Sequence, residues 1–228
     1  TPRVCIVGAG RMGRALATRI GGDHQVVVTS RRPSRFTTVT GREVVVRADP
    51  AAVRGCAVVL LAVPAPGIVD AARWVAPHLA PDALVVNLAT ELPTPDLAVP
   101  GVRLVACKVI GQSGQIAQGS PAALIVDGAD EAERKLLASV MCPVGAVIEA
   151  SEDLVAGVNA LVARRMITAQ LELARELDAM GLPPAAREAA IGNLAVGVWG
   201  AVASGNTGPF LTKIVDEIAG CDADAVVR

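Results

Sequence analysis

Over the first 149 residues, short apolar runs alternate with stretches whose apolar positions recur every three to four residues. The runs predict strands over residues 3–8, 25–29, 57–63, 83–87, 102–107, 123–126 and 146–148, and the periodic stretches predict helices over 12–20, 67–75 and 130–140. The early runs are continuously apolar rather than alternating, as in strands covered on both faces. Strand and helix in alternation predict an α/β fold, a Rossmann-type doubly wound sheet. From Ser151 the pattern changes. Ser151 can cap a helix whose first turn carries Glu152 and Asp153, and no proline follows until Pro183. Gly181 and Pro183 supply a stop signal, so the helix has ~30 residues and a length of ~45 Å. A second helix is expected from Pro184 to about Ala203, apolar on most faces and carrying Gly192, Gly197 and Gly200. Glycines on such a helix suggest close helix–helix contact, the alternative being a weak helix. The expected organisation is therefore a nucleotide-binding domain over 1–149 and an all-α dimerisation and substrate domain over 150–228.

Composition sharpens this picture. Apolar residues make up 52 % of the 228, yet aromatic residues only 2 %. Small aliphatic side chains must build the core, and the high apolar fraction suits buried parallel strands, a large subunit interface, or both. The net charge of −1 gives no reason to expect nucleic acid or an anionic membrane as partner. Prolines 64 and 66 interrupt one long apolar run, and the run over 189–203 is too short for a membrane span. No signal peptide is expected. Five cysteines (5, 56, 107, 142 and 221) have no CxxC spacing, and we read them as buried, reduced thiols of a cytoplasmic protein with no metal.

The stretch "VCIVGAGRMGRALATRI" (4–20) carries the first candidate chemistry. Gly8, Gly10 and Gly13 follow a strand and open a helix, the context in which GxGxxG binds a dinucleotide. Gly8 suits the tight turn, Gly10 the approach of a pyrophosphate, and Gly13 close packing of helix on strand. Arg11 and Met12 lie in the same turn, where free helix N–H groups face phosphate. The second strand runs into Ser30, Arg31, Arg32, Pro33, Ser34 and Arg35, with no carboxylate between His24 and Gly41. Where an NAD site would place an acidic residue, a hydroxyl and the guanidiniums of Arg31, Arg32 and Arg35 fit a 2′-phosphate. NADP(H) is the expected cofactor, with Ala62, Val63, Pro64 and Ala89 completing its site from the next strand ends.

The usual proton donors for carbonyl reduction are missing. The chain has no Tyr, and His24 and His78 both fall at the sheet edge opposite the ligand. A substrate that arrives already protonated, such as an iminium, needs mainly positioning and exclusion of water. Topology places Thr90, Lys108 and Ser113 at the cleft, and Asn159 and Arg164 at the start of the long helix. Lys108, Thr90, Ser113 and Asn159 are the candidate catalytic residues, Lys108 as anion clamp or proton relay. Arg164 and Arg165 point about 100° apart and cannot both line one pocket.

Several segments resemble pyrroline-5-carboxylate reductases, within the wider group that includes coenzyme F420-dependent NADP reductases. "IVGAGRMGRAL" resembles the opening turn of that family, and "VVLLAVPAPGI" (58–68) its fourth-strand motif. "KVIGQSGQIAQG" (108–119) is similar to its Arg-Val-Met-Pro-Asn-Thr-Pro segment, with Lys108 at the Arg position and Gln112 and Ser113 at the Asn-Thr positions. "ELDAMGLPPAAREAA" (176–190) resembles the end of its long dimerisation helix, and "TGPFLTKIVDEIAG" (207–220) its Pro-x-x-Leu-x-x-x-Val helix, through Pro209 and Val215. The resemblance implies an NADPH-dependent reductase of a small cyclic imine, a homodimer formed through the C-terminal helices. Departures fall on the substrate side. Residues 159–165 stand where the family has Ser-Gly-Ser-Gly-Pro-Ala-Tyr, and Asp216 to Gly220 where it has a Ser-Pro-Gly-Gly-Thr-Thr loop. They imply a related reductase acting on another imine, or a divergent member of the family. An F420-dependent NADP reductase and a non-catalytic NADP-binding protein are the alternatives; a hydroxyacid dehydrogenase is disfavoured by the missing Lys-x-x-x-Asn pair.

Overall fold

The computed structural model describes residues 1–226, with side chains through residue 220. Contacts divide the chain into two compact units, Thr1–Leu161 and Val162–Arg228. The division falls inside the long helix, past the expected 149/150 boundary.

The first unit is built on a seven-stranded sheet. Its strands are β1 (Arg3–Val7), β2 (Gln25–Thr29), β5 (Val58–Leu61), β6 (Leu84–Asn87), β7 (Leu104–Ile110), β8 (Ala122–Asp127) and β9 (Gly145–Glu149). Their order is β2-β1-β5-β6-β7-β8-β9. All neighbours are parallel except β7 and β8, so the last two strands run opposite to the rest. The helices α1 (Arg11–Ile20), α2 (Ile68–Val75), α3 (Ser113–Gln118) and α4 (Glu131–Met141) complete the unit.

The continuous apolar strands serve two cores. Val4, Ile6, Val58 and Leu60 join Leu16, Ile20, Leu137 and Met141 on one side of the sheet. Cys5, Val7, Val59 and Leu61 join Ile68, Ala72 and Val75 of α2 on the other. Successive strand residues point to opposite faces, so a strand between two helical layers must be apolar at every position. The sheet order reverses between β2 and β5, on either side of β1, and this opens a crevice at their carboxyl ends.

Two features escaped the sequence pattern. Residues 34–46 form a hairpin of β3 (Ser34–Thr37) and β4 (Glu43–Val46), its turn containing Gly41 at φ +83°. Arg42 pins it by donating to the carbonyls of Ala17 and Gly21 at the carboxyl end of α1, both at 2.9 Å. Thr29 Oγ1 lies within hydrogen-bond distance of the Arg47 (2.9 Å) and Asp49 (2.8 Å) carbonyls. The basic segment after β2 is thus tied at both ends. The second feature is α3, whose N-terminus is capped by the Gln112 side chain accepting from the Gln115 N–H. β7 also runs to Ile110 and takes Lys108 into a central strand.

The helix α5 (Asp153–Ala179) leads into the second unit and ends at Gly181, φ +70°. The helix expected over 184–203 is continuous but contains a π-helical turn: α6 (Pro184–Ala189), then Ala190–Leu194, then α7 (Ala195–Ala203). The last helix is α8 (Pro209–Val226). Among the described residues a Cβ on Gly192, Gly197 or Gly200 would meet nothing within 4 Å, so no contact there explains these glycines. Cys5, Cys56 and Cys107 are buried, but Cys142 is exposed at the end of α4, contrary to expectation, and the Cys221 side chain lies outside the described residues.

Candidate functional site

The glycine turn joins β1 to α1. Gly8 sits at φ +117°, and a Cβ there would come within 2.4 Å of the Ala62 carbonyl oxygen. A Cβ on Gly13 would lie 2.0 Å from the Gly8 carbonyl oxygen. Both glycines are therefore required by packing and backbone conformation. Gly10 is different: a Cβ there would meet nothing within 4 Å. The space before it is open, at the start of a helix with no side-chain cap and no acidic residue in its first turn. First-turn N–H groups have no partner in the helix, and the helix dipole favours an anion there. The residues present thus fit a pyrophosphate. Arg14 supports the turn from behind, donating to the Ala9 carbonyl at 2.9 Å and stacking 5.1 Å from the Phe36 ring.

A groove of about 570 Å³ opens beside this turn. Gly8, Ser30, Arg31, Arg32, Val63 and Pro64 line it, with Gly67, Ala71 and Trp74 from the α2 side. The sequence pattern offered no reason to single out Trp74, whose ring position depends on how α2 packs. Arg31 approaches Asp70 at 3.9 Å, but both side chains are mostly exposed, so the pairing is weak and screened. Arg32 N–H lies 3.4 Å from Ser30 Oγ. Ser30, Arg31 and Arg32 thus all line the groove that begins at Gly8. Arg35 does not join them: in β3 it pairs with Glu43 across the hairpin at 3.3 Å.

At the carboxyl ends of β6 and β7 the structure revises one expectation. Lys108 is only 1 % exposed. Its Nζ donates to the Ala89 carbonyl at 2.6 Å and the Leu92 carbonyl at 2.9 Å, and lies 3.1 Å from Glu152 Oε2. The ammonium thus has two carbonyl acceptors and one carboxylate counter-charge, and it is closed off from solvent. The expected anion clamp or proton relay is not presented at the crevice surface in this structure, because β7 continues past residue 107 and carries Lys108 into the core. Burial pushes the ammonium below its ordinary pKa, while the Glu152 carboxylate opposes that shift. Glu152, expected in the first turn of the long helix, precedes α5 and is also buried.

The other predicted residues stay near the crevice. Thr90 and Ser113 are half-buried, Thr90 just beyond β6 and Ser113 at the start of α3. Asn159 donates from Nδ2 to the Val109 carbonyl at 3.0 Å, which ties the start of α5 to the end of β7. Met12 and Ala62 pack partly against the core behind the glycine turn, and Ala89 is buried. Arg11 is exposed at the helix start. His24 and His78 are engaged elsewhere, with the Ser139 carbonyl and the Arg54 guanidinium. Among the described residues no group of three or more His, Cys, Asp or Glu could hold a metal ion. No described helix is long and apolar enough to cross a membrane.

Comparison with known proteins follows the same division. Residues 3–91 match the model of a family described as NADP oxidoreductase, coenzyme F420-dependent. A glycerol-3-phosphate dehydrogenase [NAD(P)+] from Rhizobium etli (strain CIAT 652) is 27 % identical over 178 residues, 66 % of this chain and 54 % of that protein. The chain thus spans about half the length of this curated relative. A pyrroline-5-carboxylate reductase from Coxiella burnetii superposes with a TM-score of 0.68 at 18 % identity, covering 99 % of this chain and 89 % of that one. A Plasmodium falciparum pyrroline carboxylate reductase, solved with NADP bound, gives 0.67 at 15 % identity, covering 96 % and 84 %. At such identities the likeness to the solved structures is one of fold. Residues 3–91 are thus similar to the F420-dependent NADP oxidoreductases, and the fold is similar to that of pyrroline-5-carboxylate reductases.

Proposed function

We propose that this chain is an NADPH-dependent oxidoreductase that reduces the C=N bond of a small cyclic imine. The observation that carries the cofactor is that Ser30, Arg31 and Arg32 all line the groove that begins at Gly8. Gly10 and the first turn of α1 would hold the pyrophosphate, and the two guanidiniums and the hydroxyl the 2′-phosphate. Bound NADPH would supply the hydride. The reading needs no Tyr, His or Lys as general acid: the chain lacks Tyr, both His lie elsewhere and Lys108 is enclosed. Thr90, Ser113 and Asn159 can orient a substrate by hydrogen bonding, but their side chains do not readily give up a proton. An iminium protonated in solution needs only that orientation and a site from which water is excluded.

The second unit supports a homodimer. Leu171, Leu194, Val196 and Trp199 are each more than half exposed. With Met166 and Leu173, residues of α7 also line an apolar groove of about 300 Å³. A second copy of the chain is the partner we propose for this surface, with Gly197 and Gly200 allowing its close approach. The setting we propose is cytoplasmic, in keeping with unpaired buried thiols.

The family match over residues 3–91 favours a second reading, hydride exchange between NADP(H) and coenzyme F420. Incubating the protein with NADPH and a panel of cyclic imines, and separately with F420, distinguishes the two. Imine-dependent NADPH oxidation is the expected result. Oxidation by F420 alone would favour the second reading, and cofactor binding without turnover would favour a non-catalytic NADP-binding protein.

A further inference from the structure

The Lys108–Glu152 pair belongs to a larger enclosed network. Glu152 accepts the Thr94 N–H at Oε1 (2.9 Å) and the Thr94 hydroxyl at Oε2 (3.0 Å). Asn87 Nδ2 donates to the Leu92 carbonyl and to Thr94 Oγ1, both at 3.0 Å. Asn87 Oδ1 accepts the Ala89 N–H at 3.0 Å. The Glu152 N–H donates to Asp127 Oδ2 at 3.1 Å. The end of β6, the loop after it, β7 and the residue preceding α5 thus meet on one ammonium and one carboxylate.

A buried ion pair is weak evidence for stability, since an apolar cluster of similar volume is often no less stable. What the network does supply is shape. Residues 88–92 form no regular element, yet two of their carbonyls turn inward onto Lys108. The intervening Thr90 and Glu91 are then held at the tip, half-buried and exposed respectively. This loop follows β6, the neighbour of β5, on the far side of β1 from Ser30, Arg31 and Arg32. A dinucleotide lying across the crevice with its adenosine at those arginines must place its other half over the ends of β5 and β6.

We propose that Lys108 and Glu152 are positioning residues, a buried ion pair that fixes the loop over 88–92 as the wall against which the nicotinamide half of the cofactor rests. This inference rests on the cofactor reading above. It gives the two charged groups no part in proton transfer. Removing the carboxylate leaves a buried cation without its counter-charge, and the loop relaxes to reach water.

Two ligands separate this role from general support of the fold. 2′,5′-ADP carries only the adenosine half, whereas NADPH carries both. In Glu152→Gln the Kd for NADPH should rise about tenfold while that for 2′,5′-ADP stays within about twofold of the unmutated protein. The emission of bound NADPH should shift toward that of the free cofactor, since its nicotinamide would be more exposed to water. Thr94→Val removes one hydrogen bond to Glu152 and keeps the ion pair, so it serves if Glu152→Gln folds poorly; NADPH should weaken about threefold, again without 2′,5′-ADP. Equal weakening of both ligands, or of neither, would overturn the proposal. Failure of the unmutated protein to bind 2′,5′-ADP would instead remove the cofactor reading on which it rests.

Discussion

The two units place their apolar residues in opposite ways. In the first, Leu60, Leu61, Ile68 and Leu137 are completely buried, because helices cover both faces of the sheet. In the second, Trp199 is 60 % exposed and Leu194 and Val196 are each 63 % exposed. Both units are rich in aliphatic residues, so composition does not separate them. The difference lies in closure. A doubly wound sheet can bury all its strands within one chain, while a few long helices with apolar residues around most of their circumference need another surface. The first unit accordingly carries the groove, and the second leaves an exposed apolar surface, which we propose a second copy covers.

The largest effect should come from charging that surface. Trp199→Asp is expected to convert a dimer to a monomer at micromolar concentration, with Gly197→Leu acting in the same direction; sedimentation equilibrium measures both. A single-chain mass for the unmutated protein would break the contrast between the units. Next in size, Leu60→Ala in the first unit should lower unfolding stability by about 2–5 kcal/mol through the cavity it leaves. The same truncation at Leu194, already exposed, should have little effect on the free chain and should act through the concentration dependence of unfolding. Urea titrations at two protein concentrations distinguish these responses.

Smaller but more specific is the effect at the groove. Arg31→Ala combined with Arg32→Ala should remove most of a preference for NADP(H) over NAD(H) of about 1.5–3 kcal/mol, read as a ratio of Kd values. Equal affinity of the unmutated protein for the two cofactors would contradict the assignment. The smallest expected effect is on alkaline stability. Burial pushes the Cys107 thiol from 9.0 up to about 12. Between these values the folded chain keeps a proton that the unfolded chain has lost, so this contribution is complete below pH 9.0 and disappears as pH approaches 12. Lys108, whose pKa is lowered, acts in the opposite sense just below its ordinary value of 10.5. Cys107→Ala should therefore lose less stability than the unmutated protein between about pH 8 and pH 10.5.

The sheet was legible in the sequence because every strand covered on both faces reads as an unbroken apolar run, as in Val58, Val59, Leu60 and Leu61. The glycine turn was legible because Gly8 and Gly13 answer to backbone packing, a local requirement. The hairpin over 34–46 was not, since its four-residue strands include Ser34, Arg35 and Glu43 and depend on Arg42 reaching across to α1. Lys108 was misread for a similar reason. A lysine beside apolar residues marks either a strand end or a buried cation, and only Glu152, 44 positions later in the sequence, decides which. Long-range polar pairing leaves no periodic trace.

Hydride transfer to a substrate that brings its own proton can be followed by single-turnover oxidation of bound NADPH across pH, with cyclic imines of different basicity. NADPH absorbance should decay on mixing, and the rate should fall at high pH along a limb that moves with the pKa of each imine. Thr90→Ala and Ser113→Ala should weaken substrate binding more than they slow the hydride step. A limb fixed at one pH for every imine, and lost in one of these variants, would identify a protein acid and contradict the account.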